Sequence, residues 1–162
     1  MVILVDSREQ APYTFAPYGA APATATLPAG DYSLGGFADR VGVERKELDD
    51  LVACLIGTNR ERFERELQRL SRYELAAVVV EATLEDVRQG RYRSQMNGHA
   101  AAQSILAFEV RYRVPFLFCG DRDGAEYVTY SLLAKYAREI SERYRALVKA
   151  EREAGAAVGM TA

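Results

Sequence analysis

Cysteine, histidine and tryptophan are scarce in this 162-residue sequence, which holds two cysteines, one histidine and no tryptophan. Cys54 and Cys119 are too few for a disulfide framework and lack the spacing of a zinc motif. We therefore interpret both as small core residues in a reducing compartment, which excludes thiol and zinc chemistry. His99 stands near a predicted helix start, where a surface or capping role is the simpler interpretation.

Long apolar runs are also missing. Runs such as Leu75–Val80 and Phe116–Phe118 are far shorter than the roughly 20 residues that cross a bilayer, and no basic segment precedes an apolar stretch at the N-terminus. We therefore expect a cytoplasmic protein with no membrane partner. With 49% hydrophobic residues, the length favours one domain, expected over residues 1–153 and followed by a flexible tail at 154–162.

The formal net charge of −2 argues against a surface built for tight nucleic-acid binding, but the charges are unevenly distributed. Residues 1–59 contain 4 basic and 8 acidic residues, whereas residues 60–113 contain 10 basic and 8 acidic residues. Carboxylates repel phosphate unless cations bridge them. If the substrate is a nucleic acid, a divalent metal is therefore expected.

The hydrophobic pattern predicts strands and helices in alternation. Strands are predicted at 2–5, 32–34, 40–45, 75–80 and 115–119, with a possible edge strand at 24–27. Helices are predicted at 47–56, 60–72, 84–89, 99–112 and 122–153, the second of them capped by Asn59. This alternation is typical of an α/β layered domain.

Carboxylates cluster around the strand predicted at 40–45. Because alternate side chains of a strand share a face, Glu44 and Lys46 are expected to point together, with Arg45 on the other side. A hairpin brings Asp31 within reach of Glu44, and Asp6, at the end of another strand, is placed to join them. Three carboxylates around open coordination positions suit Mg²⁺.

Lys46 stands out because this sequence uses arginine almost everywhere. Lys46, Lys135 and Lys149 are its lysines among 21 basic residues. An ammonium is compact and its pKa shifts readily, so a lysine beside a metal can orient water or help to deprotonate it. For the tripeptide alone, a weak ion pair on a solvated edge is the better interpretation. The apolar Val41 and Val43, and the other strands that end in carboxylates, favour the metal site.

Two motifs carry a family resemblance. The Gly-Asp at 30–31, the Glu-Arg-Lys at 44–46 and the aspartate at position 50 resemble the GDx(n)ERKx3D motif of the XPF-type structure-specific endonucleases, a branch of the restriction-endonuclease-like superfamily. The Asp-Ser-Arg-Glu at 6–9 resembles the D-x-R-E signature of that family. Later segments are similar in order and spacing, so the resemblance covers residues 2–139.

The resemblance implies a three-layer restriction-endonuclease-like fold, with a central mixed sheet flanked by helices. It also implies Mg²⁺ or Mn²⁺ as cofactor and hydrolysis of one DNA strand near a branch or junction. Asp50 matches the last acid of the motif. Three roles stay open for it: a helix cap, a hydrogen-bond partner of a metal ligand, or a metal ligand itself. The residues that match the catalytic set are Asp6, Asp31, Glu44 and Lys46, with the three acids as metal ligands and Arg8, Glu9 and Arg45 in support.

The resemblance implies a partner as well, because the nuclease domains of this family commonly form homodimers or heterodimers with a related subunit. An apolar stripe between Tyr130 and Leu147 fits either core packing or such an interface. Full-length members usually carry tandem helix-hairpin-helix modules after the nuclease domain, and residues 122–162 lack the glycine hairpins of such modules.

Two alternative functions stay open at this stage. One is a non-catalytic subunit that binds DNA or pairs with an active subunit, which the intact acidic set disfavours, because unused like charges cost stability. The other is a restriction-type or exonucleolytic enzyme of the wider superfamily. The arginines at 60–72 are equally consistent with phosphate contacts and helical ion pairs, and Tyr92 and Arg93 are weaker candidates for contact with an unpaired strand.

Overall fold

A six-stranded sheet with helices on both faces forms the protein in the computed structural model, which describes residues 1–159, with side chains through residue 154. The strands are β1 (Ile3–Asp6), β2 (Ala23–Ala25), β3 (Tyr32–Leu34), β4 (Val41–Lys46), β5 (Leu75–Val80) and β6 (Phe116–Phe118). The helices are α1 (Leu48–Ala53), α2 (Gly57–Leu70), α3 (Leu84–Arg88), α4 (Gly98–Tyr112) and α5 (Arg122–Gly159), and a short 3₁₀ turn covers Ala16–Tyr18.

The sheet is mixed, with the strand order β2-β1-β3-β4-β5-β6. β1 and β2 are parallel, as are β4 with β5 and β5 with β6, while β3 runs antiparallel to both of its neighbours. The turn between β3 and β4 includes Gly36 at a φ of 84°, a conformation that favours glycine. The predicted α/β fold with a central mixed sheet between helices is confirmed.

The register of the central strands aligns three acidic residues. Tyr32 pairs with Val43 across β3 and β4, so the preceding Asp31 lies opposite Glu44. On the other side, the Asp6 amide donates to the Asp31 carbonyl at 2.8 Å. Because directly opposed residues of neighbouring strands share a face, the three acids form one row.

Two hydrophobic cores hold the helices against the sheet, one on each face. The first packs α1 to α4 against alternate residues of β5, including Val78 and Val80. The second packs α5 against the opposite face, where Val79 and Leu133 are fully buried. The last three valines of β5 are thus buried on both faces, as expected for a central strand of a layered domain.

One predicted cap is wrong. α2 begins at Gly57 and follows the extended Ile56, so Asn59 lies within the first turn instead of capping the helix. Only residues 54–56 separate α1 from α2, and Leu55 among them is buried. Asn97, in contrast, caps α4, where its side chain accepts from the Ala100 amide at 3.2 Å.

The last helix is 38 residues long. The apolar residues along this helix differ in burial. Leu133 is fully buried, whereas Tyr144 and Leu147 are 67% and 58% exposed. Among residues 1–159, none of the helices has both the length and the apolar character needed to span a membrane. The tail predicted at 154–162 overlaps the helix as far as Gly159, and residues 160–162 lie outside the described part, so its flexibility stays a prediction.

Candidate active site

Asp31, Glu44 and Lys46 meet on one face of the sheet, where β3 begins and β4 ends. Lys46 Nζ donates to Glu44 Oε1 at 2.5 Å, and both side chains lie on the α2 side, where the ammonium is 5.4 Å from the centre of the Phe63 ring. Arg45 points to the other side. The predicted alternation along β4 is therefore confirmed, and a carboxylate and an ammonium stand together beside Asp31.

Each carboxylate of this acidic pair, Asp31 and Glu44, keeps one oxygen available. Asp31 Oδ2 accepts from the Arg45 amide at 2.7 Å and Glu44 Oε1 accepts from Lys46, whereas Asp31 Oδ1 and Glu44 Oε2 have no donor within residues 1–154. In that range, no side-chain oxygen or nitrogen sealed from solvent lacks a hydrogen-bond partner. These two oxygens consequently contact solvent and remain free for a ligand.

The acidic pair carries more negative charge than its surroundings compensate. Burial raises the pKa of Asp31 to about 8, and the charge of Glu44 adds to this shift. Burial raises the pKa of Glu44 as well, although Lys46 opposes the shift. Burial lowers the pKa of Lys46, but the Glu44 and Asp31 carboxylates outweigh it, so the net pKa lies above its ordinary value. Lys46 is therefore a cation at neutral pH, and the pair still favours an added positive charge.

Asp6 lies in the same row, but its carboxylate has other partners. Arg8 donates to both oxygens, from Nε at 2.6 Å and from Nη2 at 2.9 Å, and the Leu27 amide donates to Oδ2 at 2.7 Å. The hydrogen bond from the Arg8 side chain lowers the pKa of Asp6 to about 2, against the effect of burial. Asp6 is thus a compensated carboxylate that holds Arg8 beside the row.

Arg45 is at the centre of an ion-pair network on the opposite face of β4. Its buried guanidinium donates to both oxygens of Glu81, at 2.7 and 3.0 Å, and to Glu47 at 2.7 Å. Glu9 is a weaker partner at 3.5 Å. Tyr13 donates from its hydroxyl to Glu81 at 2.9 Å. Each buried charge in this network has an opposite charge or a donor in contact, which is the usual condition for burying ionised groups.

The residues of the acidic pair fit a divalent metal with two carboxylate ligands. Their free oxygens are hard donors, burial raises their pKa values and so favours a bound cation, and Mg²⁺ often binds one or two carboxylates and keeps several waters. Throughout residues 1–159, no group of three or more His, Cys, Asp or Glu side chains is arranged as a ligand set. A role for Asp6 as the third ligand stays a prediction, because its oxygens are engaged by Arg8.

Other predicted residues lie at different distances from the pair. Glu9 is close enough to raise the pKa of Asp31 further. Asp50, in the first turn of α1, is exposed and is not the cap of that helix, which follows Glu47. Tyr92 is half-buried and donates to the Met96 carbonyl at 2.9 Å, a packing role that disfavours stacking on a base. Arg93 is exposed and pairs with Asp49.

The arginines of α2 and of the turn after it divide into two groups. Arg60 pairs with Glu64, and Arg69 pairs with Glu66. The other three are exposed and form no ion pair within residues 1–154: Arg62, Arg65 and Arg72. The ion-pair interpretation is therefore confirmed for Arg60 and Arg69, and phosphate contacts by the other three stay a prediction.

Sequence reasoning missed three residues of the site region. Glu66 accepts from the Gly30 amide at 2.7 Å, next to Asp31, and nothing in its helical pattern distinguishes it from neighbouring glutamates. Tyr13 and Arg122 both contact Glu81. Glu81 itself, in contrast, was indicated by the sequence as a strand end, because it follows directly after the three valines of β5.

Comparisons with known proteins agree with this fold. The ERCC4 domain family model matches residues 5–131. The structure of XPF from Aeropyrum pernix is 24% identical, with 90% of this chain and 69% of that chain covered and a TM-score of 0.68. XPF from Aeropyrum pernix in complex with DNA is 25% identical, with coverage of 85% and 66% and a TM-score of 0.65. No curated protein matches the sequence.

Proposed function

This chain belongs to the ERCC4 domain family, whose members are generally nucleases, and we propose that it is a metal-dependent endonuclease for branched or junction-containing DNA. The observation that carries the proposal is the acidic pair of Asp31 and Glu44. Its free oxygens face solvent, its negative charge exceeds the local compensation, and the cationic Lys46 stands beside it. A similar XPF structure in complex with DNA supports DNA as the substrate.

Each residue has a role in this mechanism. Asp31 and Glu44 would hold Mg²⁺ or Mn²⁺, and the metal would neutralise phosphate charge and make the attacking water more acidic. Lys46 donates a hydrogen bond to the attacking water or to a phosphate oxygen, because its raised pKa prevents it from accepting a proton at neutral pH. Asp6 aligns Arg8, whose Nη1 has no hydrogen-bond partner within residues 1–154 and is available to a phosphate.

The DNA surface that we propose lies next to the acidic pair, on α2 and the turn that follows it. Arg62, Arg65 and Arg72 are exposed there without ion pairs among the described side chains, and arginine contributes favourable phosphate contacts in DNA complexes. For the partner, we propose a second copy or a related subunit on the exposed part of α5, where Tyr144 and Leu147 lie. Light scattering of the purified protein tests this association.

A panel of labelled DNA substrates tests the proposed function. Forks, flaps, a linear duplex and a single strand are incubated with the protein in Mg²⁺, in Mn²⁺ and in chelator. We expect cleavage of the branched substrates with metal and none in chelator. Equal activity in chelator would exclude the mechanism, and binding without cleavage would favour a non-catalytic subunit. Preferential cleavage of linear duplex would favour a restriction-type enzyme.

Two matched variants accompany this panel. Asp31→Asn removes a proposed ligand charge, whereas Asp39→Asn removes the charge of an exposed aspartate in the turn between β3 and β4. Cleavage that persists in Asp31→Asn would indicate a contaminating nuclease or a different site. Normal cleavage by Asp39→Asn shows that removal of an acidic charge alone does not abolish activity.

A further inference from the structure

The main chain of Arg45 connects the proposed catalytic groups. Arg45 stands between Glu44 and Lys46, and its amide donates to Asp31 at 2.7 Å. The ladder between β3 and β4 pairs Val43 and goes no further along β4. On that side, the end of β4 contacts a side chain instead of a neighbouring strand. On its other side, β4 pairs with β5 as far as Lys46 and Val80, so the β5 ladder and the anchoring of the Arg45 side chain on the opposite face together set the position of this strand end.

Glu81 provides that anchor. It follows β5, the parallel neighbour of β4, and its two oxygens accept from Arg45 Nε at 2.7 Å and Nη2 at 3.0 Å. A bidentate carboxylate fixes both the position and the plane of a guanidinium. The orientation of Glu81 thus determines where the Arg45 side chain is held.

Two residues from distant parts of the chain orient Glu81. Tyr13 donates from its hydroxyl to Glu81 Oε1 at 2.9 Å, and Arg122 Nη1 lies 3.4 Å from the same oxygen. The Tyr13 ring is 99% buried, and its centre is 5.7 Å from the Arg45 guanidinium and 5.0 Å from that of Arg122. Arg122 also donates to the carbonyls of residues 11 and 12, at 2.8 and 3.0 Å. The first residue of α5 thereby closes the loop after β1 against the network.

We propose that Tyr13 and Arg122 are positioning residues of the active site. They hold Glu81, Glu81 holds Arg45, and the Arg45 main chain places Glu44, Lys46 and the contact with Asp31. Neither residue touches the reacting atoms. The kinetic part of this proposal rests on the proposed nuclease function, whereas its structural part is independent of it.

The Tyr13→Phe variant tests the proposal, because it removes the hydroxyl and keeps the buried ring. The first measurement is hydrogen exchange of the Arg45 amide by NMR, in protein without metal or DNA. We expect exchange about tenfold faster than in the wild type, as one hydrogen bond to a charged acceptor is lost. The second is steady-state cleavage, in which kcat falls by about tenfold while KM for DNA is unchanged, since the contacts with DNA remain.

Tyr136→Phe is the matched control. Its hydroxyl donates to the Glu74 carboxylate at 2.7 Å, on α5 and away from the acidic pair. Both variants lose a hydrogen bond from a tyrosine hydroxyl to a carboxylate. If Tyr13 had a purely structural role, each variant would shift the melting temperature without changing kcat or Arg45 exchange. We expect the control to leave both quantities at wild-type values.

Arg122→Gln extends the test to the second residue, with Arg138→Gln as its control. Arg138 is on the same helix and pairs with Glu142 at 2.7 Å, on an exposed surface. We expect faster Arg45 exchange and lower kcat in Arg122→Gln, partial recovery of both in Arg122→Lys, and no change in Arg138→Gln.

Wild-type exchange at Arg45 in Tyr13→Phe and Arg122→Gln would overturn the proposal, whatever happens to kcat. Faster exchange with an unchanged kcat would overturn it too, because the network would then be structural only. If the wild-type protein cleaves no substrate in the panel, the proposed function fails, and the exchange comparison alone decides whether these residues position the strand.

Discussion

The charged side chains on the two faces of β4 differ in how far the protein compensates their charge. On one face, Arg45 is surrounded by carboxylates and a tyrosine hydroxyl that complete its hydrogen bonds. On the other, Asp31 and Glu44 share a single ammonium and keep two oxygens open to solvent. A network that only stabilises the fold is expected to be satisfied within the protein. The uncompensated face is therefore the one where we propose that a ligand binds, and perturbed pKa values at such a place favour function.

The largest effect is expected from Asp31→Asn. We expect cleavage to fall by more than about 100-fold, beyond the 10- to 100-fold typical of residues that only support a metal ligand, because a ligand charge is removed. DNA binding should be retained, and strengthened above about pH 8, where Asp31 of the metal-free wild type carries its negative charge. Cleavage assays and a binding titration in chelator measure the two quantities. Normal cleavage by this variant would exclude Asp31 as a ligand and remove the contrast between the faces.

Lys46→Arg keeps the charge on the open face and changes its shape. The planar guanidinium is wider than an ammonium, so it is expected to displace the attacking water by about 1 Å, which costs on the order of 100-fold in rate. Single-turnover cleavage measures this loss, and a metal titration checks that the acidic pair is intact. Near wild-type turnover would leave Lys46 as a general cation that arginine replaces.

The Asp6→Asn variant tests whether Asp6 is a carboxylate compensated within the protein or a metal ligand like those proposed at Asp31 and Glu44. Since its carboxylate binds Arg8 and the Leu27 amide, we expect a supporting role, with cleavage reduced about 10- to 100-fold. Calorimetric titration with Mn²⁺ should show an affinity much closer to the wild type than that of Asp31→Asn. If the two variants lose metal affinity equally, Asp6 is a third ligand, as the sequence motif implies.

The smallest expected effect is on stability and its pH dependence, measured by chemical denaturation without metal. The pKa of Asp31 in the folded state lies above its ordinary value of 3.8, so its charge destabilises the fold as pH rises towards 8. Asp31→Asn should therefore be more stable than the wild type at pH 8 and show no such gain at pH 4. For Asp6, the effect of the carboxylate charge on stability has the opposite sign.

The pKa of Asp6 is lowered to about 2, so its ion pair stabilises the fold above pH 3.8 and is lost as pH falls through 2. Asp6→Asn should consequently be less stable than the wild type at pH 8. Variants that shift stability in the same direction at pH 8 would contradict the division into a compensated and an uncompensated carboxylate.

Residues 30–46 show which features of the site can be predicted from local sequence. The alternation of a strand has a period of two, so the placing of Glu44 and Lys46 on one face and Arg45 on the other followed from the sequence. The hairpin between β3 and β4 predicted the approach of Asp31, and the motifs indicated the family that the ERCC4 domain match supports. These features depend on neighbours in the chain, which the sequence specifies directly.

The partners of the buried charges were decided by the tertiary structure alone. Arg45 meets Glu81, 36 positions away, because β4 and β5 are parallel neighbours, and Tyr13 and Arg122 reach the same carboxylate from opposite ends of the chain. Asp6 is in register with the other acids but binds Arg8, because a buried carboxylate is held by its strongest available donor. The sequence by itself determined which charged groups the strand ends carry. Strand order and burial decided which of them are compensated within the protein, because the energy of a charge depends on its partners in space and on its distance from water.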